Sequence, residues 1–180
     1  MVTNTSAAPI DGPAILPNAL IDQHIKPASD QAALMDAFRL TALDWVEKHT
    51  AHSLQRRRWV VMYNGFADMP RLPREPVRNV VSVGYVDRNG VSVDGTGLWR
   101  LSGAQIVPAA NGRWPETAEC SDAVTITFEA GYDDVASEAP ALQIAALLLM
   151  LHLSVGGSLK DVPNTVTLLL DEQYRTPVIG

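Results

Sequence analysis

The chain of 180 residues has little of what marks a secreted, disulfide-bonded protein, because it contains one cysteine, Cys120. A single cysteine excludes an internal disulfide framework and fits a reducing compartment. The N-terminal residues also lack a basic segment followed by an apolar run, which is the pattern of a signal peptide. We therefore expect synthesis in the cytoplasm.

Basic residues are outnumbered, and the familiar phosphate-binding loops are missing. The formal net charge is -6 and the pI is about 5.1, which argues against a dedicated nucleic-acid-binding domain with a basic face. No glycine-rich loop occurs with the spacing of a P-loop or with that of a dinucleotide-binding motif. The sequence indicates no bound nucleotide, and we expect no cofactor.

The chain has no apolar run long enough to predict a membrane span. Residues 141–155 are uncharged, but a span needs about 20 apolar residues, usually with basic and aromatic flanks. Six leucines in this run point in every direction around a helix, so we expect it to be covered nearly all round. The cover is either the rest of the fold or a second subunit.

Hydrophobic residues make up 47% of the chain, enough for a core, and their spacing predicts an α+β fold. Two N-terminal helices, a long apolar central helix and a C-terminal helix would form a small bundle with an antiparallel β insertion. Ser29 or Asp30 would cap the second helix, whose stripe of Leu34, Phe38 and Trp45 would pack on the central helix. The predicted organisation is a flexible tail at 1–16, one domain at 17–175 (helical at 17–54 and 136–175, β at 55–131) and a second tail at 176–180.

Several residues suggest chemistry only weakly. His49 and His52 are three apart on a predicted helix and could share a metal ion, but a site needs at least a third ligand. Asp133, Asp134 and Glu138 follow a strand, where catalytic acids often lie, yet the same residues favour a turn and a helix start. Cys120 has no nucleophile signature around it. We therefore predict no enzyme and no metal site.

Two segments are candidates for contact with another subunit or a partner. Arg56, Arg57 and Arg58 beside Trp59 form the only basic run, which could meet an acidic neighbour or phosphate. In a strand, neighbouring arginines face opposite sides, so the three would not form one patch. At the C-terminus, the apolar residues Pro177, Val178 and Ile179 could dock on a neighbour.

The order of these elements resembles the head–tail connector (adaptor) proteins of long-tailed bacteriophages and gene-transfer particles. The most specific segments are LPREPV with the following VSVGYVD, the junction from FEAGYDD to LLLMLHL, and the terminal VP…LLL…YR pattern. The resemblance runs from about Leu16 to Arg175 and includes no catalytic motif. The chain departs from it at the short loop from Ser158 to Asp161, where relatives often carry a longer segment.

The resemblance implies a structural protein of the virion, located at the head–tail junction and made in the bacterial cytoplasm. Copies would form a ring, twelve-fold in the particle, between the portal protein and the tail-side stopper or terminator proteins. DNA would pass through the channel without sequence-specific binding, and no membrane would be involved. The alternatives are a small non-enzymatic binding domain, as monomer or dimer, and a metal-dependent hydrolase using His49, His52 or the Asp133–Asp134 pair.

Overall fold

The computed structural model describes residues 3–9, 14–25, 31–68 and 71–174, which divide into two compact units. The first, the sheet unit, combines the N-terminal strand with Arg56–Gly131. The second, the helical unit, consists of the described parts of Asp11–Gln55 and Tyr132–Gly180. The expectation that residues 17–175 act as one connector domain stays a prediction.

The sheet unit contains two antiparallel sheets. The larger has five strands in the order β1-β2-β7-β3-β4, and the smaller is the hairpin of β5 and β6. The strands are β1 (Thr3–Pro9), β2 (Arg57–Tyr63), β3 (Val77–Val86), β4 (Ser92–Asp94), β5 (Trp99–Ser102), β6 (Gln105–Pro108) and β7 (Val124–Ala130).

One face of the larger sheet carries the core of this unit. Trp59, Val61 and Tyr63 on β2 alternate with more exposed residues, and Phe128 and Ile126 lie opposite the first two on β7. The other face includes Arg58, Thr125 and Thr127. This alternation is typical of an antiparallel sheet with one face packed and one face polar.

The N-terminal segment is not the structureless tail that its composition predicts. Residues 3–9 form β1, which pairs antiparallel with β2 from Thr3 opposite Met62 to Pro9 opposite Arg57. Small polar residues give little strand signal, but an edge strand forms when a neighbour's backbone groups are available to pair with it. That neighbour is far away in sequence, so local composition could not reveal it.

The helical unit contains α1 (Asn18–His24), α2 (Ala32–Thr50), α3 (Val135–Glu138), α4 (Pro140–Ser154) and α5 (Asn164–Asp171). Fully buried residues such as Ala42 and Val46 of α2, Leu149 of α4 and Leu170 of α5 form its core. The sequence segments that make up this unit carry twelve acidic and five basic side chains, whereas the sheet unit carries eight acidic and nine basic ones.

The predicted helical bundle with a long apolar central helix and a β insertion is wrong. The described residues form an α+β fold with five helices and two antiparallel sheets, and the β part is a main sheet with its own core. The apolar helix α4 has only 15 residues, fewer than the 19 of α2. Sequence periodicity identifies short strands, but it does not say whether they form an insertion or a principal sheet.

The face of α2 that packs into the core also differs from the prediction. Met35, Ala42 and Val46 are buried, whereas Leu34 is 50% exposed and Phe38 and Trp45 are half-buried. The two stripes lie about a quarter turn apart on the helix. Both stripes contain apolar residues, so spacing alone could not select the one that faces α4. The predicted caps, Ser29 and Asp30, lie outside the described residues.

Candidate assembly surfaces

The arginine run meets an acidic partner within its own unit. Glu129 on β7 is buried, and its carboxylate accepts hydrogen bonds from Arg56 at 2.9 Å and from Arg58 at 3.2 Å. Arg58 and Glu129 are directly opposite each other across β2 and β7. Arg56 and Arg58, two residues apart, therefore meet on the same carboxylate of their own chain.

The two guanidinium groups lower the pKa of Glu129 below its ordinary value. The largest cause is the hydrogen bond from Arg56, followed by that from Arg58, and both outweigh the opposing effect of burial. The side chain of Glu129 is only 11% exposed, whereas that of Arg58 is 52% exposed. The cluster is therefore a carboxylate covered by arginines, with part of its positive surface in solvent.

The other members of the run are placed differently. Trp59 is buried in the core of the sheet unit, where the guanidinium of Arg74 lies 4.8 Å from the centre of its ring. Arg57 is half-buried and lies opposite Ala130 on β7. The contact role predicted for Arg56, Arg57, Arg58 and Trp59 stays a prediction. Pro177, Val178 and Ile179 lie outside the described residues.

The spacing of residues in the sequence did not identify Glu129 as the partner of Arg56 and Arg58. The alternation in β7 indicates a glutamate on the polar side of a strand, but not which strand lies beside it. The signal that could have found it is the charge pattern itself, because a buried strand position rarely holds a glutamate without a cationic partner. A search for carboxylates in predicted strands, paired against the arginine run, would have proposed this contact.

The histidines do not come together as a metal site. Helix α2 ends at Thr50 because Ala51 adopts a left-handed conformation with φ of 59°, so His52 is not on the helix that carries His49. The Nε2 atom of His49 is 3.0 Å from a carboxylate oxygen of Asp171 on α5. His52 stacks on Tyr132 and has its Nδ1 atom 3.0 Å from the carbonyl oxygen of Thr50.

The carboxylates after β7 cap the next helix. Asp134 accepts a hydrogen bond from the backbone N–H of Ala136, and Glu138 accepts bonds from the N–H groups of Asp133 and Asp134 at 2.9 and 3.1 Å. These bonds give the carboxylates of Asp134 and Glu138 a local role in starting α3. Cys120 is exposed.

Within the ranges that the structure describes, neither a metal site nor a membrane-spanning helix is found. No group of three or more histidine, cysteine, aspartate or glutamate side chains there is arranged to hold a metal ion. None of the helices there has the length and apolar character needed to cross a membrane.

The sheet unit carries an open cleft of about 630 Å³. The ring of Trp114 stacks on Phe66 with 4.4 Å between centroids, and an exposed ion pair of Arg88 and Glu116 lines the same cleft. An aromatic wall beside an exposed ion pair can receive a side chain or a loop of another protein. The cleft is therefore a candidate contact surface.

The fold as a whole has known counterparts. A scan against models of protein families and a search of curated proteins find no match. Among solved structures, a chain in the neck of a native gene transfer agent particle, computed with C12 symmetry, is 23% identical with a TM-score of 0.76, covering 99% of this chain and 98% of that one.

Two further solved structures contain a chain of similar fold. A chain in the virion of a native gene transfer agent particle is 22% identical with a TM-score of 0.75, and covers 100% of this chain and 98% of that one. A chain in the neck of an empty particle, computed with C6 symmetry, is 23% identical with a TM-score of 0.71, at coverages of 100% and 98%. The resemblance to connectors of gene-transfer particles is thus confirmed at the level of the fold, which this chain shares over its length with chains of a gene transfer agent particle.

Proposed function

We propose that this chain is a structural subunit of the neck of a phage-like particle, a head–tail connector. The observation that carries the proposal is the full-length likeness to a chain in the neck of a gene transfer agent particle, in which coverage of both chains is nearly complete. A likeness of one domain within a larger protein would say less, because a fold alone hosts many functions.

In the proposed role, copies form a closed ring beneath the portal protein and extend the DNA channel toward tail-side stopper or terminator proteins. Twelve copies are the number we favour, since the neck that contains the similar chain was computed with C12 symmetry. The DNA would meet the inner surface of the ring without sequence-specific contacts. Such a role rests on surface complementarity between subunits and needs no catalytic group.

The sheet unit offers the surfaces that we assign to contacts along the particle axis. The half-exposed Arg58 next to Glu129 and the cleft at Phe66 and Trp114 lie in this unit. Exposed guanidinium groups and aromatic clefts are common in protein interfaces. We assign the arginine cluster and the cleft to contacts with the portal or with tail-side proteins.

Deletion of the gene in a particle-producing strain tests this proposal. We expect filled heads without attached tails, visible by electron microscopy, and restoration of whole particles when the wild-type chain is supplied from a plasmid. A labelled copy should then localise to the neck. Normal, complete particles in the deletion strain, or a label found only outside particles, would contradict a connector role.

A further inference from the structure

Helix α4 has an apolar side that the rest of the helical unit covers only in part. Its outward residues Ile144, Leu148 and Leu151 follow spacings of four and three, so they lie along one line, and Val155 continues this line directly after the helix ends at Ser154. We call this line the α4 stripe. Ile144 is 48% and Val155 83% exposed, while Leu148 and Leu151 are half-buried. A helix that is apolar on all sides is normally buried, so the α4 stripe indicates a covering partner.

The α4 stripe borders a small groove suited to receiving apolar side chains. A cavity of about 290 Å³ is lined by Leu20 and His24 of α1, by Gln143 and Leu147 of α4, and by the residues of the α4 stripe other than Val155. Among the residues that the structure describes, the groove is lined by no acidic side chain and no lysine or arginine. A helix with protruding leucines could therefore pack along the α4 stripe without leaving an ion unpaired.

Helix α2 carries a second uncovered apolar surface. Ala33, Leu34, Ala37 and Leu40 are exposed, with Leu40 at 65%, and they share one side of the first half of this helix. We call them the α2 patch. The alanines allow a facing helix to approach closely, and the leucines protrude. The same helix side becomes charged beyond the α2 patch, where Asp44 and Lys48 pair at 2.7 Å.

The α2 patch and the α4 stripe lie on different sides of the helical unit. Helix α2 packs on α4 through its buried residues, such as Ala42 and Val46, and not through the α2 patch. Helix α1 also lies between them, because Leu20 and His24 border the α4 stripe while Asn18 and Asp22 line a separate cavity with Met35 of α2. One copy thus presents two separate apolar surfaces.

We propose that the α4 stripe of one copy packs on the α2 patch of the next copy, in a head-to-tail contact. The inference rests on the proposed connector function and names the surface by which its subunits associate. A two-fold contact of one α4 stripe with another would stop at two copies and leave the α2 patch in solvent. A head-to-tail contact covers both surfaces in every copy and closes into a ring when the rotation between neighbours permits.

The occupant we infer is a second copy, because the neck that contains the similar chain was computed with C12 symmetry, and charge does not oppose contact between copies at these two surfaces. The segments of the helical unit carry more than twice as many acidic as basic side chains, so two copies repel each other over most of that unit. The α4 stripe and the α2 patch contain no charged residue. They are therefore surfaces by which like-charged copies can approach without bringing carboxylates together.

Cysteine cross-linking between two differently tagged chains tests this contact. In a Cys120→Ser background, one chain carries Ile144→Cys and the other Leu40→Cys, both at exposed positions where the change does not threaten folding. After mixing, light scattering establishes that oligomers are present, and a short bis-maleimide links nearby thiols. We expect the mixed pair to dominate. The control, Leu168→Cys on α5, is equally exposed at 60% and lies outside both surfaces, so it should cross-link weakly with either.

The outcomes separate this inference from the connector function. Oligomers linked mainly through two Ile144→Cys chains would show a two-fold contact and overturn the inference, as would oligomers without the mixed pair, while particle experiments could still support a connector. A chain that stays monomeric in solution and in particles would overturn both. As a second measurement, Ile144→Asp should weaken association about tenfold or more, with Leu168→Asp unchanged, and equal effects of the two variants would also contradict the inference.

Discussion

At the scale of single residues, the cluster of Arg56, Arg58 and Glu129 shows that a basic run in the sequence can be paired with a carboxylate of the same fold. The run suggested an interaction with another molecule, yet two of its arginines bind a carboxylate in their own sheet. A buried carboxylate needs cationic partners, and arginine can supply two hydrogen-bond donors to it. Part of the guanidinium surface remains exposed, so the cluster can stabilise the sheet and still face a neighbour.

Replacing Glu129 with glutamine should lower stability at neutral pH by about 1–2 kcal/mol, because the arginines then donate to a neutral acceptor and the ion pairs are lost, an effect that their partial solvation keeps small. The change should also alter the pH dependence. The pKa of Glu129 is lower in the folded chain than its ordinary value of 4.5, so its contribution is complete above that value and is lost as the pH falls. Urea unfolding between pH 3 and pH 7 measures both effects.

The matched control is Glu119→Gln, which removes an exposed carboxylate of the same unit. We expect its stability to stay within about 0.5 kcal/mol of the wild type, as for most surface changes. An acid-induced loss of stability that is the same in the wild type and in Glu129→Gln would show that Arg56 and Arg58 do not stabilise this carboxylate.

At the scale of elements, local sequence patterns indicate strands and turns but not their arrangement. The alternation in β7 and the Asn89–Gly90 turn after β3 are local signals, and both elements formed where those signals lie. The pairing of β7 with both β2 and β3 is not local, since 60 residues lie between the end of β2 and the start of β7. The buried side of α2 and the strand β1 were not predicted for the same reason. Each depends on contacts with residues that are distant in the sequence.

Helix α4 supplies the core of the helical unit through Leu149, which is fully buried. Truncating it to alanine should cost about 2–5 kcal/mol, since the apolar contacts are lost and a cavity remains. Leu168→Ala on α5 is the control, because that side chain is 60% exposed. Chemical unfolding followed by circular dichroism compares the two, and similar losses for both would argue against the packing described for α4.

Strand β1 should be detectable by hydrogen exchange at its neighbour. Because β2 lies between β1 and β7, its amides point alternately to the two strands. Deleting residues 1–9 should leave the sheet folded and increase exchange at alternate amides of β2. The amides of β7, which lie between β2 and β3, serve as the internal control. Unchanged exchange in β2 would mean that β1 does not pair there in solution.

At the scale of the whole molecule, residues 176–180 are a proposed contact with a neighbouring subunit or with the portal. Pro177, Val178 and Ile179 are apolar, and we propose that a partner covers them in the particle. Deleting Thr176–Gly180 should leave the unfolding midpoint unchanged and reduce incorporation into particles, measured by the ratio of this chain to the portal protein in purified necks. Full incorporation of the truncated chain would show that these residues form no assembly contact.

The uneven distribution of charge between the two units has a consequence for the conditions under which copies associate. Neighbouring helical units would carry like charge, and dissolved ions screen such repulsion over about 8 Å at physiological ionic strength. Added salt should therefore strengthen association between copies through apolar surfaces, up to the point where repulsion is fully screened. Assemblies held together by intersubunit ion pairs respond in the opposite way, so a salt titration of oligomer mass distinguishes the two kinds of contact.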